Sequence, residues 1–240
     1  MVKVVKVSVV IPSYNEEKYL PKTLEALKNA LGAIPDSEVV VVDNESTDGT
    51  REIALQFAAR ILEETEHNIA QVRNTGAEAV SGSVIVFVDA DTIVRRGVFE
   101  KIIEAMSNDK CLGGSVKVEY ERASRGWVRF FMQSWSFWAR FTKMRQGALQ
   151  FCRSDVFREL GGYDETIYVG EDIEFHWRLD KLAQKREGFT AFIEEPKVLT
   201  SSRRWDKMGF RMLFIGHPVT IFLGWRMRFL WKDWYENAIR

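Results

Sequence analysis

Val84-Ile85-Val86-Phe87-Val88-Asp89-Ala90-Asp91 is the stretch that decides the fold. Residues 84–88 are all β-branched or aromatic, the composition of a strand buried on both faces. The run stops abruptly at two aspartates two residues apart. On an extended chain such residues point to the same side, so Asp89 and Asp91 can aim at one spot. In open parallel α/β sheets ligands bind just past the carboxyl ends of the strands. Two hard carboxylate oxygens there suit Mg²⁺ or Mn²⁺, which in turn hold phosphates. A polar loop that happens to follow a core strand is the plainer explanation, so the rest of the chain has to supply company for the pair.

Outward from this strand, the first 110 residues alternate apolar runs with helical periods, which predicts βαβ units and a parallel sheet. Strands are expected over 4–11, 38–42 and 61–62, and helices over 50–60 and 69–80. A further helix carries Leu20, Leu24, Leu27 and Leu31 on one face, with Asn15 as its expected cap and Gly32 at its end. Beyond residue 110 the texture changes. Strands are expected over 112–120 and 189–193, helices over 154–160 and after Gly170, and an aromatic-rich helix over 125–143, followed by the unassigned run Gly147-Ala148-Leu149-Gln150-Phe151. The expected class is α/β, a Rossmann-like, mostly parallel central sheet with flanking helices and a C-terminal helical, aromatic-rich extension.

Composition narrows the function. With 34 basic and 34 acidic residues the formal charge is zero, which gives no electrostatic reason to expect nucleic acid. Cys111 and Cys152 are the only cysteines and form no CxxC pair, which argues against a disulfide scaffold or zinc site and fits a reducing cytoplasm. The first residues lack a signal-peptide core. The most apolar late stretch, 212–225, contains His217 and Pro218 and is shorter than the roughly 20 residues a membrane span needs.

Four polar clusters fall where strands end or helices begin: Pro12-Ser13-Tyr14-Asn15-Glu16-Glu17, Asp43-Asn44-Glu45-Ser46-Thr47-Asp48-Gly49-Thr50, Asp89-Ala90-Asp91 and Gly170-Glu171-Asp172. Any one of them could be ordinary capping or a first-turn acid favoured by the helix dipole. Together, and with Arg73-Asn74-Thr75-Gly76-Ala77 and Gly161-Gly162-Tyr163-Asp164-Glu165, they resemble glycosyltransferase family 2, the inverting enzymes of GT-A fold that use nucleotide sugars. The resemblance runs from about Val7 to Trp205. It implies a GT-A domain over 1–205, divided into a nucleotide-binding half (1–110) and an acceptor half (111–205), followed by amphipathic helices over 206–240.

The resemblance also implies roles. Pro12, Tyr14 and Glu16 would line the nucleotide pocket, and Asp43 would hydrogen-bond the base. Arg73 would sit near the sugar-phosphate and Asp89 near the ribose or sugar. Asp91, with Asp89 beside it, would ligate Mn²⁺ or Mg²⁺. Asp172 would be the general base that deprotonates the acceptor hydroxyl, with Glu171 as its supporting neighbour. Ser201-Ser202-Arg203-Arg204-Trp205 resembles the QxxRW signature of processive members, but Ser201 replaces the glutamine, so a non-processive enzyme is expected. Arg203 and Arg204 would contact the diphosphate. Thr200 stands about where many members carry a metal-ligating histidine, and His217 is its only nearby substitute. Two other classes share parts of this pattern. A sugar nucleotidyltransferase would show an early glycine-rich basic loop where this chain has Pro-Ser-Tyr-Asn-Glu-Glu, and a non-catalytic nucleotide-sugar or lipid-binding module need not keep Asp89, Asp91 and Asp172.

Trp127, Phe130, Phe131, Trp135, Trp138 and Phe141 share a helical period, and Trp225, Phe229, Trp231 and Trp234 alternate with Arg226, Arg228 and Lys232. Packing on the sheet explains most amphipathic helices. Tryptophan interleaved with basic residues is also the composition of an interfacial membrane surface. The expectation is a peripheral enzyme at the cytoplasmic face of the membrane, with a polyprenyl phosphate or lipid-linked saccharide as acceptor.

Overall fold

The computed structural model describes residues 5–32, 34, 36–57, 59–121, 145 and 147–203. Within them lies one eight-stranded sheet, in the order β3-β2-β1-β4-β7-β6-β8-β5. Four strands make its parallel half: β1 (Val7–Ser13), β2 (Glu38–Asp43), β3 (Arg60–Glu63) and β4 (Val84–Val88). The chain runs outward from β1 through β2 to β3, then returns to place β4 on the other side of β1. The reversal between β1 and β4 is a topological switch point, where α/β sheets open a ligand crevice.

Alternation explains the layering. Val9, Ile11, Val41 and Val86 face one side with Leu20, Leu24 and Leu27 of α1 (Leu20–Leu31) and Phe99 and Ile102 of α4 (Val98–Met106). Val10, Val40, Val42, Ile85 and Phe87 face the other, with Ala70 and Val72 of α3 (Ile69–Ala79). With both faces covered, the strands read as continuous apolar runs rather than alternating ones. Helix α3 lies so close to the sheet that a β-carbon at Gly76 would collide with Val10 and stand 2.9 Å from Val42. That contact is why a glycine sits in the middle of a helix, where it otherwise costs about 1 kcal/mol.

The second half is mixed. β7 (Leu149–Arg153) is antiparallel to both β4 and β6 (Cys111–Tyr120), while β8 (Phe189–Thr200) runs parallel to β6. α2 (Thr50–Gln56) links β2 to β3, α5 (Ser154–Glu159) follows β7, and α6 (Glu171–Lys185) precedes β8. Two local expectations are corrected, and one unexpected strand is added. The two-residue β5 (Thr92–Ile93), antiparallel to the end of β8, was too short to carry a period. β8 continues to Thr200 because Val198 and Thr200 keep facing the core beyond Glu194-Glu195-Pro196. Asn15 does not cap α1, whose N-cap is Tyr19 without a side-chain bond.

Candidate active site

The sheet register gathers the loop residues at one edge. Ser13 pairs with Asp43, and Asp43 with Glu63, so the ends of β1, β2 and β3 lie level. Val10 pairs with Phe87, which brings Asp89 to the same rim. The loops after β1 and β2 are laced together. Asn15 takes a left-handed backbone (φ 53°), receives the Thr47 amide on Oδ1 at 2.8 Å, and donates its own amide to Ser46 at 2.9 Å. The Glu16 amide donates to Thr50 Oγ1 at 2.7 Å. A left-handed non-glycine residue is an exposed cost that the surrounding bonds must hold in place.

Beneath this clasp, Ser13 and Asp43 are each 3% exposed, and Ser13 Oγ and Asp43 Oδ1 have no hydrogen-bond partner. Two orphaned polar atoms side by side are costly in a finished interior and ask for a ligand that supplies a donor and an acceptor. Pro12 is buried next to them, and the half-buried Tyr14 stands edge-on to His67, ring centroids 5.2 Å apart. His67 in turn lies 3.2 Å from the Glu45 carboxylate. This wall combines a buried proline, an aromatic pair and two unpartnered polar atoms.

The two aspartates of the acidic pair do not share a partner. Asp89 Oδ1 accepts from Arg73 Nη2 at 2.9 Å, and the same guanidinium donates through Nη1 to Glu171 Oε1 at 2.5 Å. Arg73 is 3% exposed and is therefore committed inward, to β4 and the start of α6, rather than reaching out towards a phosphate. Burial works against its charge, but Asp89 and Glu171 outweigh it and hold the guanidinium charged. Asp91 belongs to a second cluster. Its Oδ2 is 3.2 Å from Arg203 Nε, an ion pair too far off-axis to count as a hydrogen bond, and its Oδ1 accepts from the Thr200 hydroxyl at 3.3 Å. Arg203 also grips both carboxylate oxygens of buried Glu16, and its guanidinium lies 4.6 Å from the centre of the Tyr19 ring. Glu16 thus sits under Arg203 at the rim.

Asp172 occupies the first turn of α6, half-buried, with Oδ1 accepting the Ile173 amide at 2.9 Å. Its carboxyl is pushed up to about 7, first by burial and then by the Glu171 charge, with Arg73 pulling the other way. Glu171 is taken up by Arg73, so Asp172 is the carboxylate of this pair placed to exchange a proton near neutral pH. The backbone beneath it is bare for a reason. A β-carbon at Gly147 would lie 2.5 Å from Asp172 Cβ and 2.8 Å from its Cγ.

A divalent cation has a reasonable fit here. Among the described residues there is no group of three or more histidines, cysteines or carboxylates able to hold a metal as a protein cage. Mg²⁺ and related hard ions that serve phosphate chemistry need one or two carboxylates, with substrate phosphates and water completing the shell. Asp91, with 10% of its side chain exposed at the rim, supplies such an oxygen, and Asp89 lies two residues away.

The family model "Glycosyl transferase family 2" matches residues 8–160. The chain belongs to glycosyl transferase family 2. Glycosyltransferase AglE of Haloferax volcanii is 30% identical over 190 residues, an alignment covering 71% of this family 2 chain and 59% of AglE. Among solved structures, S. aureus TarS in complex with UDP-GlcNAc superposes with a TM-score of 0.65 at 18% identity, covering 82% of this chain and 58% of that one. The mannosyltransferase PcManGT of Pyrobaculum calidifontis, in complex with GDP-Man and Mn²⁺, gives 0.64 at 21% identity, covering 90% and 63%. The fold of this family 2 member is therefore GT-A, and the chain spans about three-fifths of the length of these three proteins.

Arg204, His217, the aromatic period over 127–141 and the basic tail over 222–234 lie outside the described residues. Ser13, Gln150 and Tyr163 carry no site role in the sequence analysis, although Ser13 stands in the first polar cluster and Tyr163 in the Gly-Gly-Tyr-Asp-Glu turn. Gln150 carried a signal, since it is the one polar residue in the apolar run Ala148-Leu149-Gln150-Phe151-Cys152. Thr200 was noted only for the histidine it lacks, yet its hydroxyl does face Asp91.

Proposed function

We propose that this protein is a metal-dependent, inverting glycosyltransferase that moves a sugar from a UDP- or GDP-sugar to an acceptor hydroxyl or phosphate, with Asp172 as general base. The observation that carries it is the meeting, at one sheet edge, of the unpartnered Ser13 Oγ and Asp43 Oδ1, the rim carboxylate Asp91, and the Asp172 carboxylate at the helix start.

Ser13 and Asp43 bind the base edge; Asp43 Oδ1 accepts a ring N–H, a donor that both uracil and guanine offer. Asp91, with Asp89 nearby, would hold Mn²⁺ or Mg²⁺, and the ion would supply positive charge against the negative charge growing on the departing diphosphate. Arg203, which pairs with Glu16 and Asp91, and Arg204, next to it in sequence, are the cations that would contact the diphosphate. Asp172 accepts the proton of the acceptor O–H as the oxygen bonds to the anomeric carbon. The bond from that carbon to the diphosphate oxygen breaks on the opposite face, and its electron pair leaves with the nucleotide. A single displacement of this kind inverts the anomeric centre, by the logic that separates inverting from retaining glycosidases.

A panel of UDP- and GDP-sugars, followed by thermal shift and by hydrolysis with and without Mn²⁺, tests the reading. One donor should both stabilise the protein and be hydrolysed only with the metal. A protein that binds a donor but never cleaves it is a binding module, and one that releases pyrophosphate from a sugar phosphate and a nucleoside triphosphate is a nucleotidyltransferase.

For the acceptor we propose a polyprenyl phosphate or lipid-linked saccharide, met at the cytoplasmic face of a membrane. Support comes from the tryptophans and basic residues over 127–141 and 225–234. No helix among the described residues is long and apolar enough to cross a membrane, so contact would be peripheral for this part of the chain. Anionic vesicles should sediment the protein at low salt and release it at high salt, each basic residue at the surface adding about 1 kcal/mol. Protein left in the supernatant at low salt points to a water-soluble acceptor.

A further inference from the structure

The turn Gly161-Gly162-Tyr163-Asp164-Glu165 faces inward. Tyr163 is 2% exposed, and its ring packs on Phe87, Phe157 and Phe175 with centroids 5.1, 5.8 and 4.6 Å away. Asn74 of α3 clamps its main chain from both sides, accepting the Tyr163 amide at 2.9 Å and donating to its carbonyl at 3.0 Å. The phenol then reaches Gln150 Oε1 at 3.1 Å, and Gln150 Nε2 donates to the Asp172 carbonyl at 2.9 Å. The direction of this chain is fixed by chemistry. A backbone carbonyl only accepts, so the Gln150 amide nitrogen must face Asp172, and its oxygen is left for a hydroxyl that donates. Burial raises the Tyr163 hydroxyl well above its ordinary range, which keeps it in the donating form.

Gln150 is 2% exposed in β7, in the middle of the sheet, where an unbonded amide would be costly. Leucine or methionine would fill the same volume in an apolar strand without that risk. The one thing the amide does that they could not is tie the first turn of α6 to the sheet directly beneath the Asp172 carboxyl. Gly147, on the approach to the same strand, leaves the carboxyl its room.

We infer that Tyr163 and Gln150 form an internal strut that fixes the position of Asp172, and that both are positioning residues for the displacement step. The inference rests on the reading of Asp172 as general base. Neither residue touches donor or acceptor. Their effect is to hold the carboxylate within reach of the attacking hydroxyl, where a displacement of about 1 Å costs on the order of 10²-fold in rate.

The test uses Mn²⁺-supported hydrolysis of the donor, with water as acceptor, in the full chain. Tyr163→Phe keeps the ring packing and deletes one hydroxyl, and Gln150→Met keeps the volume and deletes both bonds. Each should lower kcat by roughly 10- to 100-fold while donor KM, and donor affinity by calorimetry, stay at the wild-type value. The double variant should be no slower than the slower single, because the two act through one chain of bonds. Placed on Asp172→Asn, neither should slow the residual reaction further. If Asp172→Asn is inactive but both strut variants keep kcat within about twofold of wild type, the strut is refuted and the base stands. A loss of donor affinity in step with kcat, or an added loss on the Asp172→Asn background, shows a general structural role and also overturns it. Full activity in Asp172→Asn removes the base itself. If one of the two strut variants does not fold, the other carries the test, because each breaks the same chain of bonds.

Discussion

Two arginine clusters divide the acidic pair between them, and they differ in how many carboxylates each arginine must serve. Arg73 faces Asp89, Glu171 and, at greater reach, Asp172, while Arg203 faces Glu16 and Asp91. One guanidinium charge faces three carboxylates in the first cluster and two in the second. In the first, the proton affinity of Asp172 is raised, by burial first and then by the Glu171 charge. In the second, Asp91 lies against an off-axis arginine and accepts from a hydroxyl at 3.3 Å. The proposed roles follow this division, Asp172 taking up a proton and Asp91 a cation. The stretch Asp89-Ala90-Asp91 joins them, with Asp89 paired to Arg73 and Asp91 to Arg203.

The largest effect should come from removing Asp91 from the second cluster. Asp91→Ala should abolish Mn²⁺-dependent binding of the nucleoside diphosphate in calorimetry, since it removes the rim ligand and leaves Arg203 paired with Glu16 alone. Unchanged affinity would mean that Asp91 serves only the local structure. Breaking the first cluster should instead appear as lost stability. Arg73→Met leaves two buried or half-buried carboxylates without their cation, and urea unfolding should show a loss of about 3–5 kcal/mol. A loss well below that would show that water reaches the cluster and that Arg73 is not the clamp described here.

The smallest effect sharpens the contrast through pH. In the folded, donor-free protein the Asp172 carboxyl is raised from 3.8 to about 7, so the folded state binds the proton more tightly than the unfolded chain does. Its contribution to stability is therefore fully present below 3.8 and declines as pH rises through 7. Asp172→Asn, which is neutral throughout, should have a higher Tm than wild type at alkaline pH, with the difference shrinking under acidic conditions. A difference that does not change with pH would show that Asp172 carries no such strain.

The parallel half of the sheet was legible because its strands are β-branched runs and its helices have clear apolar faces. Residues 84–88, 38–43 and 69–79 follow directly from such local patterns. The second half was less so. β5 has two residues, and β8 carries Glu194-Glu195-Pro196 in its middle, so neither shows a period to read. At the site, residue types and positions could be named but their partners could not. Arg73 finds Asp89 and Glu171 at separations of 16 and 98 residues, and no local rule connects them. Asn15 looked like a cap because asparagine before a helix usually is one. Its left-handed backbone turns the side chain towards the β2–α2 loop instead.

The most direct test of the whole account measures transfer and donor binding together in Asp172→Asn. The amide keeps the size of the carboxylate but cannot take the acceptor proton, so kcat should fall by about 10²–10⁴-fold while donor affinity in the presence of Mn²⁺ stays that of the wild type. Near-normal turnover, or loss of donor binding in parallel with activity, would contradict the assignment of Asp172 as the base.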